Sequence, residues 1–312
     1  STAVLPRNQL FTFHRRSMSS SGINGDITVA AIFGDPVAQS KSPAMHNAAY
    51  AALGMNRTYA AFRVTSGNLG AALRSIPALG LVGVNLTIPH KEAATRLIKD
   101  LSGAARLLGA VNCVVNRRGA LRGDNTDARG LERDLRDLGC ELRDQFAIVI
   151  GAGGGAAASV LACVRLGANR IVIANRTPAR AAALARRFSA KGVTRAAVGE
   201  PRGLDALVDS ELLGNARLIV NATSMGLTTE RFARLDYDAT SADCLFYDLI
   251  YSPGPTAFLK PALAASRRAI DGAGMLINQA ELAFKLFNRV DAPKGVMRAA
   301  LLAELGRNGG AG

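Results

Sequence analysis

Phe146-Ala-Ile-Val-Ile150 runs without a break into Gly151-Ala152-Gly153-Gly154-Gly155-Ala156. The first five residues are a short apolar run of the kind that makes a buried strand. The next six read G-x-G-x-x-A, and an apolar helical pattern continues over Ala156–Leu166. In that setting glycines let the backbone turn tightly and approach a pyrophosphate, while the helix that follows offers its free N–H groups. The uncharged stretch Phe146–Val164 is long enough to mimic a membrane span, but its glycines at 151, 153, 154 and 155 favour strand, turn and helix. A glycine motif alone is weak; flanked in this way it predicts a dinucleotide site.

Working outward, strand Arg170–Ala174 and helix Pro178–Phe188 come next, then strands Leu218–Asn221 and Cys244–Ile250, helix Thr256–Ala264 and strand Ala269–Asp271. This is a doubly wound pattern. The second strand ends in Asn175-Arg176-Thr177, with Arg180 one turn later, where an NAD site usually carries an acidic residue. Arginines there suit a 2′-phosphate, and Thr177 is placed to cap the helix and donate a hydroxyl hydrogen bond. The expected cofactor is NADP.

The chain before the glycine loop also alternates. Strands are expected at Thr28–Phe33, Tyr59–Val64 and Leu81–Ile88, with helices at Ala44–Leu53, Asn68–Ser75, Glu92–Leu101 and Ala104–Leu108. Ser42 should be the N-cap of the first helix, with Pro43 at its first position. Val111–Asn116 and Gly119–Arg122 read as a hairpin, and a helix follows over Ala128–Leu138. Helices Met275–Phe287 and Pro293–Leu305 close the chain. The predicted class is α/β with two domains: an N-terminal α/β substrate domain with a mainly parallel sheet, and a Rossmann-type NADP-binding domain. The expected division is a disordered extension over 1–25, a substrate domain from 26–126 plus 273–312, and a cofactor domain over 127–272.

The 312 residues carry a net charge of +14 and 49% hydrophobic side chains, which excludes a disordered chain. The charge is spread: +3 over residues 1–25, +6 over 26–126, +3 over 127–272 and +2 over the rest. No basic block or interleaved aromatic stripe accompanies it, so a nucleic-acid partner is not expected. The cysteines at 113, 140, 163 and 244 lack metal-ligand spacing and suit a reducing compartment, so no metal is expected. Arg15-Arg16 and Ser17–Ser21 have no apolar core of a secretory signal, and Met18 is a plausible natural start. A membrane partner is not expected either.

Polar clusters stand at strand ends and turns. Ser40-Lys41-Ser42-Pro43 offers two hydroxyls at a helix start, suited to a small carboxylate. Asn85-Leu-Thr87-Ile-Pro89-His90-Lys91 ends a strand on a lysine, Asn112 ends Gly109-Ala-Val, and Gly123-Asp124-Asn125-Thr126-Asp127 joins the two halves. Each has an ordinary reading as a cap, a turn or a solvated side chain. Together they supply what is needed to hold a polyhydroxylated acid and move a proton beside it.

Gly34-Asp-Pro-Val-Ala-Gln-Ser40-Lys-Ser42-Pro-Ala-Met-His46-Asn47, Asn85 to Lys91, Gly109-Ala-Val-Asn112, Asn125-Thr-Asp127, Asn175-Arg-Thr177, Asn221-Ala-Thr-Ser-Met-Gly226 and Gly274-Met-Leu-Ile-Asn-Gln279 occur in this order. Over about residues 26–305 the chain resembles the shikimate dehydrogenase (shikimate/quinate dehydrogenase) family. The resemblance implies an NADP-dependent oxidoreductase that interconverts 3-dehydroshikimate and shikimate, in chorismate and aromatic amino acid biosynthesis in the cytoplasm. It implies that Ser40 and Ser42 bind the substrate carboxylate, that Thr87, Asn112, Tyr251 and Gln279 hold the ring and its hydroxyls, and that Lys91 transfers the proton beside Asp127. Gly151 to Gly155 (Ala152 included), Asn175, Arg176, Thr177, Arg180, Thr223, Leu249 and Gly272 would line the NADP site. The chain departs from the usual family residues at Gln39 (His), Cys113 (Thr) and Gly155 (Ala), and Gly103 stands where some members have an acid.

A lysine suits the chemistry because the alkoxide that develops on hydride transfer needs a proton, which an amine balanced by a carboxylate supplies. Closure of the domains would bring Asp127 against Lys91 and exclude water. Alternatives are quinate or aminoshikimate as substrate, with NAD as cofactor, or a non-catalytic NADP-binding regulator on the same fold. Ser42, where quinate-using relatives often have Thr, and the lysine–aspartate pair argue against them. The partners expected are small molecules, on a monomer or homodimer.

Overall fold

The computed structural model describes residues 24–189, 197–226 and 232–307. The expected extension over 1–25 falls outside them up to residue 23. Among the described residues, the first sheet holds β1 (Thr28–Gly34), β2 (Arg57–Arg63), β3 (Gly83–Leu86), β4 (Asp100–Leu101), β5 (Cys113–Arg117) and β6 (Ala120–Asp124). Their order is β2-β1-β3-β5-β6-β4. The β1/β2, β1/β3 and β4/β6 pairs are parallel; β3/β5 and β5/β6 are antiparallel. Helices α1 (Ser42–Ala52), α2 (Leu69–Ala78), α3 (His90–Leu97) and α4 (Gly103–Leu108) connect these strands, and α5 (Asp127–Asp137) leads to the second sheet.

That sheet is parallel throughout: β7 (Phe146–Ile150), β8 (Arg170–Ala174), β9 (Ala197–Arg202), β10 (Ala216–Asn221), β11 (Leu245–Asp248) and β12 (Arg268–Ile270), in the order β12-β11-β10-β7-β8-β9. Counted from β7, this is the doubly wound order, with its switch point between β7 and β10. The connecting helices are α6 (Gly154–Arg165), α7 (Pro178–Ser189), α8 (Ser210–Gly214) and α9 (Leu259–Ala264); α10 (Ala273–Asn288) and α11 (Val296–Glu304) end the chain.

Period-two burial explains the first sheet. Ala30, Ile32, Tyr59, Cys113 and Val115 face a core shared with Met45, Ala49, Ile277, Phe284, Met297 and Leu301, so α1, α10 and α11 cover that side. Ala31, Phe33, Val84, Leu86 and Val114 face the other side, packed on Leu69, Leu73, Ile76 and Ala94. The C-terminal helices thus return to the first sheet after the chain has built the second. The five residues of β7 are all buried, as a central parallel strand requires. No helix among the described residues is long and apolar enough to cross a membrane.

Four local readings need correction. Ser42 is the first residue of α1 rather than its cap, because its N–H bonds to the Ser40 hydroxyl (3.3 Å) and the turn closes one residue earlier. The helix expected to reach Leu101 stops at Leu97. Asp100 there takes two bonds from Arg122 (3.1 and 3.0 Å), and Leu101 pairs with Gly123, so the segment joins the sheet as β4. Strand β9 went unread because Gly199 and Pro201 break its pattern, and both are tolerated at a sheet edge. Helix α9 begins at Leu259 rather than Thr256, since the Thr256 hydroxyl accepts from the Leu259 N–H (3.3 Å) and serves as a turn ahead of it.

Candidate active site

Lys91 lies in the first turn of α3 and Asp127 opens α5. The sites are 36 residues apart, yet Lys91 Nζ donates to Asp127 Oδ2 at 2.8 Å. A cation near a helix N-terminus is unfavourably placed, whereas a carboxylate there is favoured. The lysine side chain therefore gains by reaching to Asp127. It keeps 29% of its exposure, while the aspartate keeps 8%. The pair is thus open on the amine side only.

Asn112 fixes the other carboxylate oxygen. Its Nδ2 donates to Asp127 Oδ1 (2.7 Å) and to Thr126 Oγ1 (2.9 Å), while its Oδ1 accepts from the Thr126 N–H (2.8 Å). Asn125 Oδ1 accepts from the Asp127 N–H (3.0 Å), and its Nδ2 donates to the Ala110 carbonyl (3.0 Å). The Val111 N–H bonds to the Lys91 carbonyl (2.8 Å), which joins α3 to the segment carrying Asn112. Gln279, on α10, meets this group through Thr126 Oγ1 (3.4 Å) and is itself anchored to the Leu276 carbonyl (2.9 Å).

The remaining expected substrate residues make no hydrogen bond to this pair among the described residues. Ser40 and Ser42 are joined at the start of α1, Ser42 buried and Ser40 half-buried. Thr87 directly follows β3; its N–H bonds to the Phe33 carbonyl (3.0 Å) and its carbonyl takes the His90 N–H (2.8 Å). No hydrogen bond joins Thr87 to Lys91 or Asp127 among the described residues. Tyr251 follows β11 and packs against the core formed by α1 and α10, where burial pushes its phenol up. The strand-end loop of the second sheet thus reaches the first.

Sequence reasoning gave no role to buried Tyr59, and it quoted Asn85 and His46 only as parts of motifs. Tyr59 donates its hydroxyl to Asn85 Oδ1 (2.8 Å), and Asn85 Nδ2 donates to the Asn112 carbonyl (3.0 Å). An asparagine inside the apolar strand Gly83-Val-Asn85-Leu86 was the available signal, because a buried amide demands partners. His46 stacks on Tyr59 with ring centres 4.2 Å apart, and burial lowers its pKa to about 3, so the imidazole is neutral.

At the second sheet, Gly151 turns the chain out of β7 with φ +120°, and a Cβ there would meet the Ala222 carbonyl oxygen at 3.0 Å. Ala152 is half-buried within this turn, which leads to Gly153 as the cap of α6. Around Gly153 and Gly154 no heavy atom comes within 4 Å of where a Cβ would project, so the first turn of α6 stands clear of side chains. Such a bare helix start fits a pyrophosphate. Leu249 packs over Gly155, and its carbonyl lies 2.4 Å from where a Cβ of Gly272 would sit, so a side chain at Gly272 is excluded. Thr223 is held at the end of β10, its hydroxyl donating to Asn221 Oδ1 (2.7 Å).

Arg176 and Arg180 are exposed at the end of β8 and the start of α7, with no partner among the described residues. The neighbouring Arg170 and Arg202 differ, because both pair with Glu200. The Arg170 hydrogen bond leads the effects that hold the Glu200 carboxyl below the usual range. The two unpaired cations therefore dominate this strand end, as a 2′-phosphate requires. The Thr177 carbonyl closes this turn, accepting from Asn175 Nδ2 (2.9 Å) and the Arg180 N–H (3.0 Å).

The family model of the shikimate dehydrogenase substrate-binding domain matches residues 32–114, that of shikimate/quinate 5-dehydrogenase matches 134–225, and that of the shikimate 5′-dehydrogenase C-terminal domain matches 272–302. A shikimate dehydrogenase (NADP(+)) of Symbiobacterium thermophilum is 41% identical over 294 residues, which cover 93% of this chain and 98% of the relative. One of Methanopyrus kandleri is 40% identical over 290 residues, 92% and 99% of the two chains. The crystal structure of the Thermus thermophilus shikimate 5-dehydrogenase with NADP(H) and shikimate superposes with a TM-score of 0.78 at 35% identity, covering 89% of this chain and all of that one.

Proposed function

The chain belongs to the shikimate dehydrogenase family, and from that premise we propose that Lys91 and Asp127 move the proton in the NADP-dependent, reversible reduction of 3-dehydroshikimate to shikimate. The observation that carries this reading is the 2.8 Å contact between Lys91 Nζ and Asp127 Oδ2, open on the amine side only. When bound, NADPH supplies the hydride for the C3 carbonyl.

The rest falls to side chains of the chain. Lys91 Nζ gives its proton to the substrate oxygen as negative charge builds there, and takes it back in the oxidation direction. Asp127 holds the ammonium by charge through Oδ2, while Asn112 and the Thr126 segment keep Oδ1 from turning. Ser40 and Ser42 seat the substrate carboxylate; Thr87, Asn112, Gln279 and Tyr251 receive the ring. Gly151 to Gly155, Thr223, Leu249 and Gly272 line the cofactor cleft, and Asn175, Arg176, Thr177 and Arg180 hold the adenosine 2′-phosphate. We assign residues 26–126 with 273–312 to the substrate domain and 127–272 to the cofactor domain. The four cysteines are free and buried, which suits a cytoplasmic enzyme. We take it to be a monomer or homodimer whose ligands are small molecules.

Initial rates of cofactor reduction test the reading, with shikimate and quinate each run against NADP and NAD. Shikimate with NADP is expected to give the highest kcat/KM. Higher values with quinate or with NAD would overturn the assigned preference, and absence of any turnover would leave a binding protein.

A further inference from the structure

We propose that Tyr59 is a positioning residue for this proton transfer, its hydroxyl setting the orientation of Asp127 against Lys91 through Asn85 and Asn112. The proposal rests on the reading of Lys91 and Asp127 as the proton-transfer pair.

Tyr59 is held from several sides. Its ring lies on His46, and its backbone N–H and carbonyl are both taken by the side-chain amide of Asn47 (2.7 and 3.0 Å). Both residues belong to α1, the helix that opens with Ser42. Burial pushes the Tyr59 phenol well up, so the hydroxyl keeps its proton and acts as a donor; Ser42 lies beside it.

The direction of each bond is then determined. The Asn112 carbonyl can only accept, so Asn85 turns its Nδ2 toward it, 3.0 Å away, and presents Oδ1 to the Tyr59 hydroxyl, which donates at 2.8 Å. That carbonyl also takes the Leu86 N–H at 2.9 Å. With its backbone gripped, Asn112 spends both Nδ2 protons on Thr126 and Asp127. Asp127 Oδ1 is thereby occupied, and Oδ2 is the oxygen left for Lys91. Tyr59, Asn85, Asn112, Thr126 and Asp127 are all buried, so water does not readily replace a missing link. Without the hydroxyl, Asn85 Oδ1 is left buried without its donor, and the amide that grips the Asn112 carbonyl is loosened. Misplacement of a catalytic group by even part of an ångström costs rate more than it costs binding.

Tyr59→Phe tests this while keeping the ring and its stack on His46. In steady-state shikimate oxidation with NADP, kcat is expected to fall about 10-fold while the shikimate KM changes by less than about 3-fold. The pH profile of kcat should also be displaced from that of the wild type. Tyr50→Phe removes another buried hydroxyl, from α1 but outside this chain of bonds, and should leave kcat and the pH profile unchanged. Asn85→Ser breaks the same chain from its other side and should reproduce the loss if Tyr59→Phe does not fold. Wild-type kcat and pH profile in the folded variant, even with a lowered Tm, would overturn the positioning role. Lys91→Ala, run beside them, separates the two levels. If it retains wild-type kcat, the proton-transfer reading itself fails; if it loses kcat while the Tyr59 and Asn85 variants do not, only the present proposal fails.

Discussion

Asp127 and Asp248 are both buried carboxylates near the ends of secondary-structure elements, and they are satisfied in opposite ways. Asp127 meets a cation, Lys91, on one oxygen and the amide of Asn112 on the other. Among the described residues Asp248 meets only neutral donors: Asn221 Nδ2 (2.9 Å), the Thr256 hydroxyl (2.6 Å) and the Ile250 N–H (3.0 Å). Burial raises the pKa of Asp248 to about 6, with those bonds offsetting part of the effect. The difference is one of purpose. A carboxylate balanced by a lysine is fit to stand at a cleft and manage a proton. One balanced by dipoles ties loops together, here the ends of β10 and β11 and the turn before α9, behind the cofactor cleft.

The comparison is broken most severely by removing the cation. Lys91→Ala should lower kcat by about 10²-fold or more while the shikimate KM changes little. Steady-state kinetics check this, and near-wild-type kcat would place Asp127 with Asp248 as a structural acid.

Asp248 should also make stability depend on pH. Its folded pKa, about 6, lies above the ordinary 3.8, so protonation favours the folded state. That contribution is complete below pH 3.8 and is lost as pH rises through about 6. The stability advantage of the wild type over Asp248→Asn should therefore shrink between pH 4 and pH 7, by at most about 3 kcal/mol. Urea unfolding of both proteins at the two pH values measures it. A constant difference would show that Asp248 enters the fold at no charge cost.

A smaller effect is expected where a cation stands without any carboxylate. Arg176→Ala should raise the KM for NADP about 10-fold with kcat nearly unchanged, and added salt should narrow the gap because exposed charges are screened. Equal loss of affinity for NAD and NADP would argue against a 2′-phosphate contact.

Much of this site is legible in the sequence because its parts are local. The glycine loop, the strand before it and Arg176 fall within 31 consecutive residues, Phe146 to Arg176. Ser40 and Ser42, or Asn125 and Asp127, likewise stand almost adjacent. What escaped reading is long-range or irregular. Strand β9 carries Gly199 and Pro201, acceptable only because it is an edge. The Tyr59–Asn85 bond joins residues 26 apart on β2 and β3, which are not neighbours in the sheet because β1 lies between them. No periodicity marks such a pair.

By itself the sequence determined the alternation of strands and helices, the dinucleotide loop, the basic strand end after β8 and the polar residues available for chemistry. These follow from side-chain period, turn chemistry and charge, which act over a few residues. The family resemblance paired Lys91 with Asp127, but only the tertiary structure shows why the lysine meets that carboxylate and no other. Glu92, Asp100 and Asp124 lie closer to Lys91 in the chain, but Asp124 bonds to Ser102 (2.6 Å), Asp100 to Arg122, and the lysine goes to Asp127. That choice rests on α5 starting beside Asn112 at the entry to β5. A hydrogen bond reaches only about 3 Å, so it is set by the packing of elements distant in the chain.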